Sequence, residues 1–389
     1  MTLREHFINI YIKEVMELFD SESGIEASLI QKALDKRLPI GGSMELLPLC
    51  NMNCSMCYIR LTKQQMKTQG RMLSCDEWLK IAESAKEAGV LSFLLTGGEP
   101  LLYPEFEKLY DGLTRMGFLL TMNTNGTLID EKIADMFAAK PIRRLNITLY
   151  GTDNETYAKL CGNPHGFSQI ENALKLLKER KIHHGLNFSI TPQNVHQLHD
   201  AYQFAEKYGL RMDSVGYMFP PVRKKGMNAE KFSRLSAKEA AAVRIQELKE
   251  LNPGMDIRLL ALHLLKKVGK ANPEKMAVLE GPNCKAGRCG FWINWKGELL
   301  PCGMFSEPMI SLLDHSFKEG WSYITERTKQ IKRCKKCDEC PYIELCPSCS
   351  ASCLAETGNM DECPEYLCEY THELIRLVRE ILQNVQIRI

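Results

Sequence analysis

The chain has 389 residues, 44% of them hydrophobic, which exceeds one average domain and is ample for a large buried core. A net charge of +2, from basic and acidic residues scattered together along the chain, argues against a nucleic-acid or membrane-surface partner. No apolar run approaches the roughly 20 residues that span a bilayer, and the opening MTLREHFINIYIKEVMELFD lacks the basic start and apolar centre of a signal peptide, so a cytoplasmic protein is expected.

Residues 1–43 read as an N-terminal helical segment. From 44 to 222, short β-like runs alternate with helical ones. Strands are predicted over 44–49, 91–96, 118–123, 143–149, 186–191 and 213–218. Helices are predicted over 75–89, 104–116, 130–139, 153–161, 167–180 and 194–208. Ser74 with Glu77, and Thr152 with Glu155, have the spacing of a capping box. Strict alternation of strand and helix implies a parallel sheet with helices outside it.

The two faces of that sheet differ. Leu145, Ile147, Leu149, Leu186, Phe188 and Ile190 occupy alternate places and should pack against helices. The opposite face presents Thr121, Asn123, Asn146, Thr148, Asn187 and Ser189. A sheet covered on both sides reads as continuous apolar runs, and a closed eight-stranded barrel fills its centre with branched apolar residues. Neither holds here. The expected fold is α/β, a partial (βα)6 TIM-like barrel whose lumen takes a polar ligand.

Residues 223–283 read as a mostly helical connection, clearest in SAKEAAAVRIQELKE. A cysteine-rich domain follows over 284–370, and 371–389 closes the chain with an amphipathic helix from His372 to Val385. Eleven of the sixteen cysteines lie between Cys284 and Cys368. In a reducing cytosol such crowding points to metal or chemistry, since disulfides are rare there. Cys75 opens one predicted helix and Cys161 ends another; both read as packing residues.

Cys50, Cys54 and Cys57 fall in one loop directly after the first predicted strand, the edge at which (βα) barrels build active sites. Thiolates suit zinc, copper(I) and iron–sulfur clusters, and structural zinc usually takes four protein ligands. Three thiolates can hold three corners of a [4Fe–4S] cube and leave the fourth iron open.

The spacing C-x3-C-x2-C, followed after the second strand by Thr96-Gly97-Gly98-Glu99-Pro100, resembles the radical SAM superfamily. Asn123-Thr124-Asn125-Gly126 and Leu149-Tyr150-Gly151 extend the likeness. The resemblance implies a [4Fe–4S] cluster on Cys50, Cys54 and Cys57, with S-adenosylmethionine on the open iron. It implies reductive cleavage to a 5′-deoxyadenosyl radical that takes a hydrogen from the substrate. Gly97, Gly98 and Glu99 would meet the methionine amino group and Thr148 the ribose, with Asn123 a further cofactor contact. Met56 stands where the family usually has an aromatic residue, so Tyr58 would contact the adenine differently.

The C-terminal cysteines resemble a SPASM domain, which implies two auxiliary [4Fe–4S] clusters. Cys284, Cys289 and Cys302 would hold one, completed by Cys349 or Cys353. Cys337, Cys340 and Cys346 would hold the other, completed by Cys363 or Cys368. Cys334 has no place in this scheme, and Cys337-x2-Cys340 is also a good zinc knuckle.

Relatives with this arrangement mostly modify peptides or proteins, which implies a peptide or protein substrate for crosslinking or oxidation. They draw electrons from a donor such as flavodoxin or ferredoxin. Sulfatase maturases carry Asp after the cysteine matching Cys302, where this chain has Gly303, which argues against that activity. The 43 residues before the barrel are too few for a leader-binding domain, so a separate recognition protein is expected. A small-molecule substrate, or a non-catalytic iron–sulfur or zinc scaffold, are the alternatives.

Overall fold

The computed structural model describes residues 25–221, 232–270 and 279–383. The chain enters through helix α1 (Ile25–Lys36) and strand β1 (Gly41–Glu45). After the cysteine loop come α2 (Lys63–Gln69), α3 (Cys75–Glu87), β2 (Ser92–Thr96), α4 (Phe106–Arg115), β3 (Leu119–Thr124) and α5 (Glu131–Ala139). Then follow β4 (Arg144–Leu149), α6 (Asn154–Cys161), α7 (Gly166–Glu179), β5 (His184–Ser189), α8 (Leu198–Lys207) and β6 (Met212–Val215). These six strands are parallel and neighbour one another in order.

The predicted two-faced sheet is present. Leu145, Ile147, Leu149, Leu186, Phe188 and Ile190 are all fully buried, whereas Thr121, Asn123, Asn146, Thr148, Asn187 and Ser189 are half-buried on the other face. The register sets Asn123 beside Asn146, whose amide donates to it at 2.9 Å, and Thr148 beside Asn187.

Helix starts follow local chemistry. Ser74 and Glu77 form the expected reciprocal capping box at α3. The second expected box is corrected. Asp153, not Thr152, caps α6 and accepts from the Thr156 amide at 2.7 Å, because the Thr152 amide is taken by the Gln197 side chain at 3.0 Å. A carboxylate at that end also meets the positive pole of the helix.

The first strand begins three residues earlier than its apolar run, on Gly41 and Gly42. A Cβ on Gly42 would lie 2.2 Å from the Phe291 ring, and one on Gly41 would lie 2.5 Å from the Ser92 hydroxyl. Close packing recruits two glycines that strand propensity rejects. The last strand of the six ends at Val215 instead of residue 218.

The largest departure lies beyond the barrel strands. Helices α9 (Ala237–Leu251) and α10 (Ile257–Leu265) occupy the expected helical connection, parts of which lie outside the described residues. Then β7 (Gly290–Ile293), β8 (Glu298–Leu300) and β9 (Ile310–Ser311) add to the sheet, with β7 parallel to β1. The result is one nine-stranded sheet in the order β6-β5-β4-β3-β2-β1-β7-β8-β9. Strands this short carry too little pattern to read in sequence. Phe291 on β7 packs edge-on against Phe93 and Phe317, with centroids 6.0 and 4.9 Å away, so the cysteine-rich region shares the barrel's core.

The remaining helices are α11 (Phe317–Lys329), α12 (Lys335–Asp338), α13 (Ser350–Thr357) and α14 (Glu365–Gln383). Helix α14 starts seven residues before His372, so the expected boundary at 370/371 falls inside it and Cys368 sits on it. It packs on α9 and α10 through Ala241, Ala261, Leu264, Leu374 and Val378. Among the described residues no helix is long and apolar enough to cross a membrane.

Candidate active site

The cysteine loop is clamped by its own backbone. The Asn53 amide donates to the Cys161 carbonyl at 2.7 Å, the Ser55 amide to the Leu160 carbonyl at 3.1 Å, and the Cys57 amide to the Cys54 carbonyl at 3.1 Å. Amides also reach the sulfurs, from Met52 to Cys50 at 3.4 Å and from Arg60 to Cys57 at 3.3 Å. Such donors favour the thiolate form.

Cys50, Cys54 and Cys57 open on one cavity of about 230 Å³ at the C-terminal ends of the strands. Gly97, Gly98, Asn123, Thr148 and Tyr58 line the same cavity, so five of the six predicted cofactor contacts meet the thiols there. A tetrahedral ion with metal–sulfur bonds of about 2.3 Å holds its sulfurs roughly 3.8 Å apart. Among the described residues only Cys334, Cys337 and Cys363 bring three ligand atoms within 4.8 Å, so the triad is splayed wider than a single ion needs. Its all-thiolate donor set fits a cluster.

The glycines act first on the protein itself. Gly98 donates to the Leu47 carbonyl at 2.7 Å and Glu99 to the Leu49 carbonyl at 3.0 Å. A Cβ on Gly98 would stand 2.2 Å from the Leu49 oxygen, and Gly97, at φ +151°, would place one 2.5 Å from the Leu47 oxygen. Only glycines let this loop lie against the stretch that leads into Cys50.

Glu99 is held from within the protein. Its carboxylate is fully buried and accepts from the Thr124 hydroxyl and the Asn125 amide at 2.8 Å each, and from the Leu101 amide at 3.1 Å. The Thr124 and Asn125 donors tie the motif after β2 to the loop after β3. Burial pushes the carboxyl up to about 7, against the pull of these donors.

Asn125 carries the arrangement onward. Its side-chain amide donates to Asn51 at 2.8 Å and reaches the Cys50 sulfur at 3.7 Å. Burial, the largest cause, together with the negative charge of Glu99, pushes the Cys50 thiol up to about 12. Arg60, Tyr150, Ser189 and Met218 also line the cavity. Arg60 has no motif to announce it, whereas Tyr150 lay within a motif already read. Cys75 is a core residue, as expected. Cys161 is a fully buried core residue too, as expected.

The C-terminal thiols divide into two groups. Burial, with the neighbouring Cys349 thiol as a lesser cause, pushes the Cys284 thiol up, and burial likewise pushes up that of Cys289. Cys302 packs against the cluster of Met304, Phe305 and Ala351, as does Tyr58 from the lining of the first cavity. The second group surrounds a cavity of about 380 Å³ lined by Cys337, Cys340, Cys346, Cys363 and Cys368. Within it the Cys337 and Cys363 sulfurs are 3.7 Å apart and those of Cys363 and Cys368 are 3.1 Å apart. Cys334 joins Cys337 and Cys363 there, the three sulfurs within 4.8 Å of one another.

Residues 44–205 match the sequence profile of the Radical SAM superfamily. They form a radical SAM domain. The AdoMet-dependent heme synthase of Nitratidesulfovibrio vulgaris is 23% identical over 338 residues, covering 84% of this chain and 91% of that protein. The antilisterial bacteriocin subtilosin biosynthesis protein AlbA of Bacillus subtilis is 24% identical over 274 residues, covering 69% of this chain and 56% of that protein. Among solved structures, Streptococcus suis SuiB bound to precursor peptide SuiA superimposes with a TM-score of 0.65 at 17% identity, over 90% of this chain and 82% of that one. That last likeness is one of fold. The chain is a radical SAM enzyme with a cysteine-rich C-terminal region.

Proposed function

We propose that this radical SAM enzyme binds S-adenosylmethionine beside a [4Fe–4S] cluster on Cys50, Cys54 and Cys57, and modifies a ribosomal peptide or protein by crosslinking or oxidation. The observation that carries the reading is the meeting of the splayed triad, the glycine backbone and the polar strand face in one cavity. When bound, the reduced cluster supplies the electron that splits the sulfonium and so yields the hydrogen-abstracting 5′-deoxyadenosyl radical.

The chain's own residues hold and enclose. Gly97 and Gly98 offer backbone to the methionine end, while Asn123 and Thr148 offer polar groups to the nucleoside. Tyr58, packed against Met304 and Phe305, walls the cavity from the C-terminal side and limits water. Cys284, Cys289, Cys302 and Cys349 form one auxiliary ligand set. The second is drawn from Cys337, Cys340, Cys346, Cys353, Cys363 and Cys368. A flavodoxin or ferredoxin supplies electrons, and a separate recognition protein presents the peptide leader.

Peptide modification is supported by the likeness to AlbA, a bacteriocin biosynthesis protein, and to SuiB, which binds a precursor peptide. A small-molecule substrate is the second reading, favoured by the heme synthase, whose match covers more of this chain than that of AlbA. Gly303 bears on the reaction type. A Cβ there would lie 2.8 Å from the Trp292 ring, so an Asp at that place has no room.

The test is anaerobic reconstitution with iron and sulfide, then dithionite and S-adenosylmethionine. Formation of 5′-deoxyadenosine is the expected result; a colourless zinc protein would end the proposal. Mass spectrometry of a precursor peptide incubated with the loaded enzyme then separates the two substrate readings.

A further inference from the structure

We propose that Arg60 is the carboxylate-binding residue of the active-site cavity: its guanidinium takes the methionine carboxylate of S-adenosylmethionine. This rests on the reading of the triad as the cluster site and adds a contact that no motif announces.

Arg60 closes the loop that carries the cysteines. Its backbone amide donates to the Cys57 sulfur at 3.3 Å, and the next amide, that of Leu61, donates to the Pro48 carbonyl at 2.9 Å. The exit of the loop is thereby tied to its entry. The side chain turns back over the same loop, where Nη1 donates to the Asn53 side-chain oxygen at 2.9 Å. Asn53 precedes Cys54 and is itself fixed, its amide donating to the Cys161 carbonyl at 2.7 Å. The guanidinium is therefore held beside the triad, and Arg60 lines the cavity on which the three thiols open.

Apart from the thiols, charge on the cavity wall is one-sided. Among the described residues that line it, Arg60 is the one Lys or Arg, and no Asp or Glu is present. Glu99 does not line it, and its oxygens already accept from Thr124, Asn125 and Leu101. The Nε of Arg60 is buried and has no hydrogen-bond partner. A buried donor on a charged group is costly to leave without an acceptor. Because Asn53 takes Nη1, the edge formed by Nε and Nη2 is the one that remains for a ligand. Two parallel N–H groups on that edge match the two oxygens of a carboxylate.

A carboxylate at this place has two sources, the substrate and S-adenosylmethionine. The Arg60 side chain is bonded within the cysteine loop itself, and the open iron of that loop receives the methionine end. Gly97 and Gly98 reach the same end from the loop after β2, so its amino and carboxylate groups have separate holders. The competing role for Arg60 is a plain counter-charge to the thiolates. That role needs no fork, and it would act on every ligand of the cluster alike.

The experiment uses reconstituted full-length enzyme in three forms: wild type, Arg60→Met and Arg60→Lys. With the cluster left oxidised, so that no cleavage occurs, anaerobic calorimetry measures binding of S-adenosylmethionine and of its decarboxylated analogue. Arg60→Met should keep the wild-type iron and sulfide content and bind S-adenosylmethionine roughly tenfold to a hundredfold more weakly. The decarboxylated analogue should bind wild type and Arg60→Met alike. Arg60→Lys, which keeps the charge and loses the fork, should recover only part of the affinity. Unchanged affinity for S-adenosylmethionine in Arg60→Met overturns the proposal and leaves the residue to a substrate carboxylate. An equal loss for both compounds also overturns it, in favour of the counter-charge. Should Arg60→Met lose its iron, Arg60→Lys decides, and wild-type affinity in that variant overturns the proposal. If loaded wild type binds neither compound, it is the cluster reading of the triad that has failed, and the two failures are thereby told apart.

Discussion

The buried carboxylate of Glu99 accepts a hydrogen bond from the backbone amide of Asn125 at 2.8 Å, and the side chain of Asn125 reaches the sulfur of Cys50 at 3.7 Å. The glycine motif after β2 and the Asn-Gly motif after β3 are thus one support for the first cysteine. Glu99→Ala should leave the Asn125 and Leu101 amides and the Thr124 hydroxyl without their acceptor, a loss of about 3 kcal/mol or more for buried donors. Urea unfolding should show the lower midpoint, and reconstitution should return less iron.

Glu99 also gives the cluster-free protein a pH dependence. Its carboxyl lies near 7 in the folded protein against an ordinary value of 4.5, so between those values the native state holds a proton that the unfolded chain has shed. Stability from this group is complete below pH 4.5 and is lost as pH rises to about 7, by about 3 kcal/mol across the window. Unfolding of wild type and Glu99→Gln from pH 4.5 to 8 checks the sign. The difference between the two curves should change across that window and level off above it.

Gly98→Ala should cost more than its one methyl suggests. The new Cβ would stand 2.2 Å from the Leu49 oxygen and 3.1 Å from the Cys50 nitrogen, both backbone atoms that cannot swing away. The loop bearing Cys50 must move. We expect a loss of more than about 2 kcal/mol and a sharp fall in 5′-deoxyadenosine formation. A folded Gly98→Ala enzyme with wild-type cleavage would contradict the role given to this close approach.

Cys54→Ala should abolish cleavage of S-adenosylmethionine while iron in the C-terminal region remains. Iron analysis with product chromatography decides it, and normal cleavage by the variant would remove the triad from the active site.

The grouping of the C-terminal thiols predicts non-additive losses. Cys349→Ser combined with Cys284→Ser should remove no more iron than either alone, because the proposed ligand set holds both. Cys349→Ser combined with Cys337→Ser should remove both groups' metal. Equal losses from the two double variants would dissolve the grouping.

Glu356 accepts from the Arg234 guanidinium at 3.0 Å and from the Tyr217 hydroxyl at 2.8 Å, while Arg234 stacks 3.8 Å above the Tyr366 ring. This joins the end of the barrel to the cysteine-rich region. The Glu356 side chain is 8% exposed and that of Arg234 is 20% exposed, so Glu356→Ala strands a largely buried cation. The expected cost is about 3 kcal/mol, read as a lower thermal midpoint, and Arg234→Met in the same chain should recover part of it.

Local pattern made the chemistry of this protein legible. Three cysteines in one loop, glycines after the next strand, and polar residues alternating with apolar ones each depend on neighbours a few residues apart, where spacing and periodicity act directly. The triad, its cavity and the two-faced sheet therefore agree with the sequence. What that pattern could not carry was pairing across long stretches of chain. That Glu99 meets the Asn125 amide, and that Gln197 takes the Thr152 amide and leaves Asp153 to cap α6, are decided by which distant elements come together. The same holds for β7, which lies beside β1 because Gly42 leaves space for Phe291. A side chain's type and spacing set what chemistry it can do, and the fold's long-range contacts set which partner it does it with.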